Sequence, residues 1–367
     1  MEPRLLPVLV AAGGTGGHLF PAAALAGALT ERGVAVHLAT DRRAARFGGA
    51  FADDAIHVVA SATLRSRNPV AIVQTAGGIG LGLFQAWRLI GLLRPAAVIG
   101  FGGYPSVPPV LAAVWRGVPT LIHDANAVVG RANRLLAPRV AAIATTFPDT
   151  FREAPELAAK ATLTGNPVRA AVIAAAATPY TLPSDAARLL VFGGSQGARI
   201  MADIVPAAIA RLEPGLRSRL HIVQQAREED LVRVQDAYAS LAVTAEVAPF
   251  FADLPARIAA SHFVVARSGA STVAELAAIG RPSILVPLPH AIDQDQFANA
   301  GVLERAGGAL RLVQETFTPE RLAAEIAGLA RVPQRLAAMA AAARSLGKLD
   351  AAERLADLVL NVAAISP

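Results

Sequence analysis

Two short stretches, roughly half a chain apart, share one local grammar, and this duplication limits the chain to few folds. Leu5 to Leu29 passes from an apolar run through Gly13-Gly14-Thr15-Gly16-Gly17-His18 into an Ala/Leu-rich segment of helical composition. Leu189 to Ile200 repeats the pattern as Leu-Leu-Val-Phe-Gly193-Gly194-Ser195-Gln196-Gly197-Ala-Arg199. Each reads as strand, glycine loop, helix. Glycine permits the positive-φ turn that leads a strand straight into a helix. Such a turn aims backbone N–H groups and the positive end of the helix dipole at whatever sits above it, most often phosphate. One glycine turn is equally compatible with close packing alone; a second copy implies two nucleotide-type halves.

A chain of 367 residues accommodates two domains, each with its own core. Apolar residues make up 54% and mean hydropathy is +0.45, yet aromatics are only 5% and alanine supplies much of the apolar content. That describes a tightly packed α/β protein better than a membrane one. Cysteine is absent, which excludes disulfides, cysteine metal sites and thiol nucleophiles and suits a reducing cytosol. The net charge of +6 comes from scattered arginines, with Lys160 and Lys348 the only lysines. It is read either as arginine-rich codon usage or as attraction to an anionic partner such as phosphate or acidic lipid. No basic run interleaved with aromatics occurs, so no nucleic-acid partner is expected. Arg4 followed by Leu5 to Ala12 imitates a signal peptide, but the run is short and enters the glycine loop, so it is assigned to the first strand.

In the first half, Val34 to Thr40, Ile56 to Ala60, Ala97 to Gly100, Thr120 to His123 and Val140 to Thr145 read as buried parallel strands separated by helices. The unit changes near Gly165-Asn166-Pro167-Val168-Arg169. Further strands are expected at Leu189 to Phe192, His221 to Gln224, Val243 to Val247, Phe263 to Ala266 and Ser283 to Pro287. The division expected is a domain over 1–166, a second over 167–345, and a final helix over 346–367 crossing back to the first.

At about 100° per residue, Ile79, Leu83, Ala86, Trp87, Leu89, Ile90 and Leu93 form the core stripe of a helix from Ile79 to Arg94. The opposite face carries Leu81, Phe84 and Leu92 beside Gln85 and Arg88. Such a face suits shallow insertion into an anionic membrane surface or packing against another element. Gln74, Thr75, Gln85, Arg88 and several glycines argue against a transmembrane helix.

Four further stretches fall at predicted strand ends, where sheets of this type bind ligands. Phe101-Gly102-Gly103-Tyr104 is another glycine turn, and His123-Asp124-Ala125-Asn126 closes a strand. Arg267-Ser268-Gly269-Ala270-Ser271-Thr272-Val273-Ala274-Glu275 opens a helix whose N–H groups can meet a diphosphate. In Pro289 to Asn299, Asp293-Gln294-Asp295 imitates the DxD metal site of another transferase fold, but hydrogen bonds to sugar hydroxyls suit two nucleotide-type domains better, and no metal is expected.

Together these motifs resemble the MurG family over nearly the whole chain. Gly-Gly-Thr-Gly-Gly-His, Gly-Gly-Tyr, Gly-Asn-Pro-Val-Arg, Gly-Gly-Ser-Gln-Gly-Ala-Arg and Arg-Ser-Gly-Ala-x-Thr-Val-x-Glu occur in the family's order and approximate spacing. The resemblance implies an α/β GT-B glycosyltransferase fold, two Rossmann-like domains with parallel sheets facing a central cleft. It implies inverting transfer of GlcNAc from UDP-GlcNAc to the MurNAc 4-hydroxyl of lipid I (undecaprenyl-pyrophosphoryl-MurNAc-pentapeptide), giving lipid II for peptidoglycan. No cofactor is implied. Donor contacts carry over to Thr15, Gly16, Gly17, Asn126, Arg169, Ser195, Phe251, the turn Ala270, Ser271, Thr272, Val273, Ala274 and Glu275, and Gln296. By that carry-over Phe251 offers backbone to uracil, Glu275 binds ribose, Ser195 and the Ala270 to Thr272 turn hold diphosphate, and Asn126 with Gln296 reads the sugar. His18 falls where the family's base candidate falls, with His123 and Asp124 as fallbacks. Leu81, Phe84, Trp87, Arg88, Trp115 and Arg116 match the family's membrane patch, which implies a peripheral protein docked on an anionic membrane at its cytoplasmic face.

Three departures stand out: Asp124-Ala125 replaces the family's usual Glu-Gln, Pro105-Ser106-Val107 follows Gly-Gly-Tyr, and Asp295 replaces a usual His or Gln. Two rival readings are a nicotinamide-dependent oxidoreductase, encouraged by Asp41 but lacking the third fingerprint glycine, and a UDP-GlcNAc 2-epimerase-like enzyme of the same fold. A non-enzymatic membrane scaffold is a third.

Overall fold

The computed structural model describes residues 6–13, 16–42, 51–61, 69–194, 197–289 and 291–364, with the side chains of 69–76 and of Ile292 outside that description. Thr15 and Ser195, both expected at a substrate site, lie outside the described residues. The chain forms two units, one comprising Met1–Arg169 with Leu349–Pro367 and the other Ala170–Lys348.

The first unit is built on seven strands: β1 (Val8–Ala11), β2 (Val36–Thr40), β3 (Ile56–Val58), β4 (Ala97–Gly100), β5 (Thr120–Asp124), β6 (Ala142–Thr145) and β7 (Ala161–Leu163). They lie in the order β3-β2-β1-β4-β5-β6-β7, every neighbouring pair parallel. All four residues of β1 are fully buried, because alternate side chains enter different cores. Val8 and Val10 meet Leu19, Leu25 and Leu29 of the first helix (Gly16–Glu31) together with Leu355 and Val359 of the last helix (Ala351–Val362). Leu9 and Ala11 belong to the other core, with Ala86 and Ile90 of the long helix Pro69–Leu93, Val110 of the helix Val107–Trp115 and Leu136 of the helix Arg131–Leu136.

The long helix corrects one expectation about its own stripe. Ala86 and Ile90 are buried, but Trp87 is 39% exposed and belongs with Leu81, Phe84 and Leu92 on the outward side. Trp87 stands at the edge of the angular stripe, and the Arg116 guanidinium lies 4.1 Å from its ring centroid. Close approach at Gly82 fixes the helix: a Cβ there would stand 2.0 Å from the Ala60 carbonyl oxygen.

The second unit repeats the winding with β8 (Ala187–Phe192), β9 (Leu220–Gln225), β10 (Thr244–Ala248), β11 (Phe263–Ala266), β12 (Ser283–Leu285) and β13 (Ala309–Arg311), in the order β10-β9-β8-β11-β12-β13. Again all pairs are parallel. In both sheets the chain goes one way from the first strand and then crosses to its other side, the doubly wound order. Arg281 ties this unit together at the sheet end away from the glycine loops. It is 1% exposed, and its guanidinium donates to the carbonyls of Thr178, Pro179, Ala259, Ile279 and Gly280. Those carbonyls end or follow the helices Ala170–Ala176, Leu254–Ala260 and Ala270–Ile279, so one cation faces the negative ends of three helices.

Candidate functional site

A doubly wound sheet opens a crevice where strand order reverses, at the carboxyl ends of the two diverging strands. In the first unit those strands are β1 and β4, and the loops that follow them are Gly13 to Gly17 and Phe101 to Tyr104. The two loops are in contact. A Cβ on Gly13 would come within 2.8 Å of Pro105 Cβ and 2.9 Å of Asp41 Oδ2. His18, in the first turn of the helix Gly16–Glu31, lays its ring against the second loop: a Cβ on Gly102 would stand 3.4 Å from His18 Cε1, and one on Gly103 3.3 Å from Cδ2. Both glycines have positive φ, 84° and 70°, so it is the backbone conformation that requires glycine at the two positions where the imidazole rests. Burial holds His18 below the ordinary histidine range, with a hydrogen bond to the Phe101 backbone opposing the shift. Its Nδ1 is enclosed and carries no hydrogen bond among the described residues.

His123 and Asp124, at the end of β5, lie deeper. His123 is fully buried, its Nε2 bonded to the Gly165 carbonyl at 3.0 Å and its ring 5.3 Å from that of Phe101. Burial pushes its pKa down to about 4. Asp124 accepts from Asn126 N (3.1 Å), Gly130 N (3.0 Å) and Asn133 Nδ2 (3.1 Å). Burial raises its pKa and those bonds oppose the rise. Both carboxylate oxygens are thus spent on the loop from Asn126 to Gly130 and on the helix behind it, which gives Asp124 an organising role here. Asn133, which sequence reasoning did not single out, also donates to the His123 carbonyl at 2.9 Å. The signal was a polar residue among Ala132 and Leu136 on the buried face of a short helix. Asn126 is half-buried, and Arg169 places its guanidinium 4.5 Å from the Phe20 ring centroid.

In the second unit the diverging strands are β8 and β11. Gly193 closes against the backbone beyond its loop, since a Cβ would stand 2.2 Å from Ala198 N. Its own N–H donates to Gln225 Oε1 at 3.0 Å. After β11, Gly269 caps the helix Ala270–Ile279 in extended backbone. Ser271 and Thr272 are half-buried in its first turn with Ala270 and Ala274, while Val273 and Glu275 turn inward, Glu275 to 6% exposure. Ser271 Oγ is enclosed and has no hydrogen bond among the described residues. Ser268 Oγ donates to the Gln296 carbonyl (2.8 Å), and Asn299 Nδ2 donates to the Ser268 carbonyl (3.3 Å), which ties this turn to the start of the helix Asp295–Ala306. The side chain of Gln296 accepts from Leu288 N at 3.0 Å. Just before that helix, Asp293 and Gln294 both have positive φ, 67° and 52°, which is unusual for residues with a side chain. Burial raises the pKa of Asp295. Arg267 is 8% exposed and donates to the carbonyls of Val286 and Pro287 and to Gln314 Oε1, so it braces β12. Phe251 is buried under the Arg257 guanidinium, 4.2 Å from its ring centroid.

A third feature lies on the outer side of the first unit. Leu81 (52%), Phe84 (60%), Leu92 (78%) and Trp115 (59%) are exposed beside Trp87. Arg88 lies 6.0 Å from the Phe84 centroid, and Arg116 covers Trp87 and approaches Gly91. Among the described residues no helix is long and apolar enough to cross a membrane.

The glycosyltransferase family 28 N-terminal domain model matches residues 8–145, and the family 28 C-terminal domain model matches residues 188–355. The chain is 61% identical over 361 residues to a "UDP-N-acetylglucosamine--N-acetylmuramyl-(pentapeptide) pyrophosphoryl-undecaprenol N-acetylglucosamine transferase" of Rhodopseudomonas palustris (strain BisB18), covering 98% of this chain and 96% of the relative. It is 62% identical to the protein of that name in Bradyrhizobium sp. (strain ORS 278), covering 98% of both. The crystal structure of Acinetobacter baumannii MurG superposes with a TM-score of 0.80 at 31% identity, covering 98% of this chain and 100% of that one. A UDP-GlcNAc 2-epimerase from Neisseria meningitidis superposes at 0.70 with 14% identity, covering 97% of this chain and 100% of that one, a likeness of fold alone.

Proposed function

The chain belongs to the MurG family of glycosyltransferases, and from that membership we propose that it moves GlcNAc from UDP-GlcNAc to the MurNAc 4-hydroxyl of lipid I, forming lipid II. The near-complete alignment with transferases of that name carries this reading. The epimerase-like reading has only a shared fold behind it.

His18 takes the proton of the attacking hydroxyl. Its lowered pKa leaves the imidazole neutral near pH 7, the form a general base needs. His123 lies too deep behind Phe101 for that task, and Asp124 is occupied with its three donors. Charge that develops on the departing UDP meets the N-terminus of the helix Ala270–Ile279, where the dipole, free N–H groups and the Ser271 and Thr272 hydroxyls stand ready before the reaction. The second unit therefore takes the nucleotide, with Phe251 beside uracil, Glu275 on ribose and Gln296 on the sugar. The first unit takes the lipid acceptor. Its Leu81, Phe84, Trp87 and Trp115 enter the headgroup region of the cytoplasmic leaflet while Arg88 and Arg116 meet acidic lipid.

The test is transfer of labelled GlcNAc to a short-chain lipid I analogue. The intact protein should give product, His18→Ala should be slow at saturating donor, and Glu275→Ala should bind donor weakly. Folded, UDP-binding protein that yields no product would sink the proposal.

A further inference from the structure

The side chain of Gln225 extends the second sheet where its backbone can no longer do so. β9 ends at Gln225 and runs between β8 and β10. On one side β8 stops at Phe192; on the other β10 stops at Ala248, where Pro249 brings no N–H to continue the ladder. The Gln225 amide adds one more rung in each direction. Its Oε1 accepts from Gly193 N at 3.0 Å, and its Nε2 donates to the Pro249 carbonyl at 3.1 Å. Gln225 is 6% exposed, and a buried amide needs partners for both its oxygen and its nitrogen. Here each partner belongs to a different loop. Leucine in its place would offer neither bond, and glutamate only acceptors.

These are the two loops that the proposed donor nucleotide spans. Gly193 opens the glycine loop after β8, and Pro249 leads into Phe250 and Phe251. Each loop is tight beside its bridged residue. A Cβ on Gly193 would stand 2.2 Å from Ala198 N, and one on Gly197, at the far end of the same loop, would stand 3.0 Å from Cγ of Arg227, two residues beyond Gln225. Phe251 lies under the Arg257 guanidinium, which also pairs with Glu246 and Asp253. A ligand that engages two subsites gains affinity from the second only while their spacing matches its own length. We propose that Gln225 is a positioning residue that sets the spacing between the loop that meets the donor's diphosphate and the loop that meets its uracil, so that one nucleotide engages both at once. The inference rests on the transferase reading above.

The test compares the whole ligand with its two halves. Calorimetry gives the affinity for UDP, and displacement of a fluorescent UDP analogue gives those for uridine and for inorganic pyrophosphate, on the full chain and on Gln225→Leu and Gln225→Glu. Both variants should bind UDP roughly tenfold more weakly, the scale of a lost hydrogen bond, while each half changes by less than about twofold. Glutamate keeps an acceptor for Gly193 but sets an oxygen against the Pro249 carbonyl, so breaking one end should do as much harm as breaking both. A half-ligand that weakens as much as UDP overturns the proposal, because the damage then lies within one loop. So does a Gln225→Glu variant that binds UDP normally, or a variant whose thermal midpoint falls while the contrast between UDP and its halves stays as in the unaltered chain. One measurement needs no variant: saturating uridine should slow amide exchange over 193–198 as well as over 250–253 in the unaltered protein, and protection confined to 250–253 overturns the coupling. Because the readout is binding, a protein that holds UDP but transfers nothing refutes the transferase reading alone, and one that binds no UDP overturns both.

Discussion

Replacing Arg281 by methionine should destabilise the second unit by roughly 3–5 kcal/mol, the scale of a broken buried charge network. The side chain is 1% exposed and supplies hydrogen bonds to five carbonyls at or just beyond the ends of three helices. A carbonyl left dry costs about 1–3 kcal/mol, so five set a ceiling of about 15 kcal/mol. Several effects bring the value down. Methionine fills most of the vacated volume and removes a buried charge whose burial is itself unfavourable, as the lowered pKa of Arg281 reflects. A cavity of about 460 Å³ lined by Thr178, Pro179, Tyr180, Arg281 and Arg344 lets water reach the nearer carbonyls. Arg344 also donates to the carbonyls of Ala176 and Ala278, which keeps two of the same helix ends partly satisfied. The probe matters, because Trp87 and Trp115 are the only tryptophans and both belong to the first unit. Hydrogen exchange read by mass spectrometry over 170–179, 254–260 and 270–281, along a urea series, reports the correct unit. With a slope of about 1–3 kcal/mol per molar urea, the midpoint should fall by about 1–5 M. Loss of under about 1 kcal/mol, or loss confined to one helix end, would refute the idea that a single cation secures all three.

Other outcomes follow from the same geometry. His123 has a folded pKa of about 4 against an ordinary 6.5, so between those pH values the unfolded chain binds the extra proton; the associated stability is complete above pH 6.5 and falls by roughly 3 kcal/mol as pH drops to 4. Urea titrations across that window should show the slope, and His123→Gln should flatten it. Gly103→Ala puts a methyl group 3.3 Å from His18 Cδ2 at a φ of 70° and a ψ of 158°; it should lower transfer at least about tenfold while costing about 1–3 kcal/mol of stability, the penalty of a backbone region that is essentially reserved for glycine. Paired substitutions Leu81→Ser and Phe84→Ser should weaken co-sedimentation with anionic vesicles and leave UDP affinity unchanged; equal loss of both would place the patch in folding instead.

The parallel, doubly wound halves were legible because buried parallel strands and glycine turns leave strong local signals, as at Val8–Ala11 and Phe263–Ala266. The edge strands Ala161–Leu163 and Ala309–Arg311 were not, since three residues with partly exposed side chains carry no run long enough to read. Several strand ends shifted by one or two residues, as where Val34 gave way to Val36. Trp87 shows the limit of an angular count: a residue at the stripe's edge is decided by its neighbour, and here that is Arg116, just beyond the end of another helix. The same holds at the candidate site. His18 stood out in the sequence by its glycine loop, but its seat on Gly102 and Gly103 depends on two strands more than eighty residues apart meeting at one crevice. The bonds from Asp124 to Asn126, Gly130 and Asn133 are likewise a product of assembly.

The return of the helix Ala351–Val362 to the first unit also orders events in time. As the chain leaves the ribosome, β1 and the helix Gly16–Glu31 emerge early, yet Leu355 and Val359, which seal one side of their core, follow only after all of Ala170–Lys348 has been made. The later-made unit can therefore finish folding first, while the earlier one waits half-clad with Leu25 and Leu29 uncovered. A nascent chain stalled or cut shortly before Ala351 would carry a finished second unit and a first unit open to proteases and chaperones.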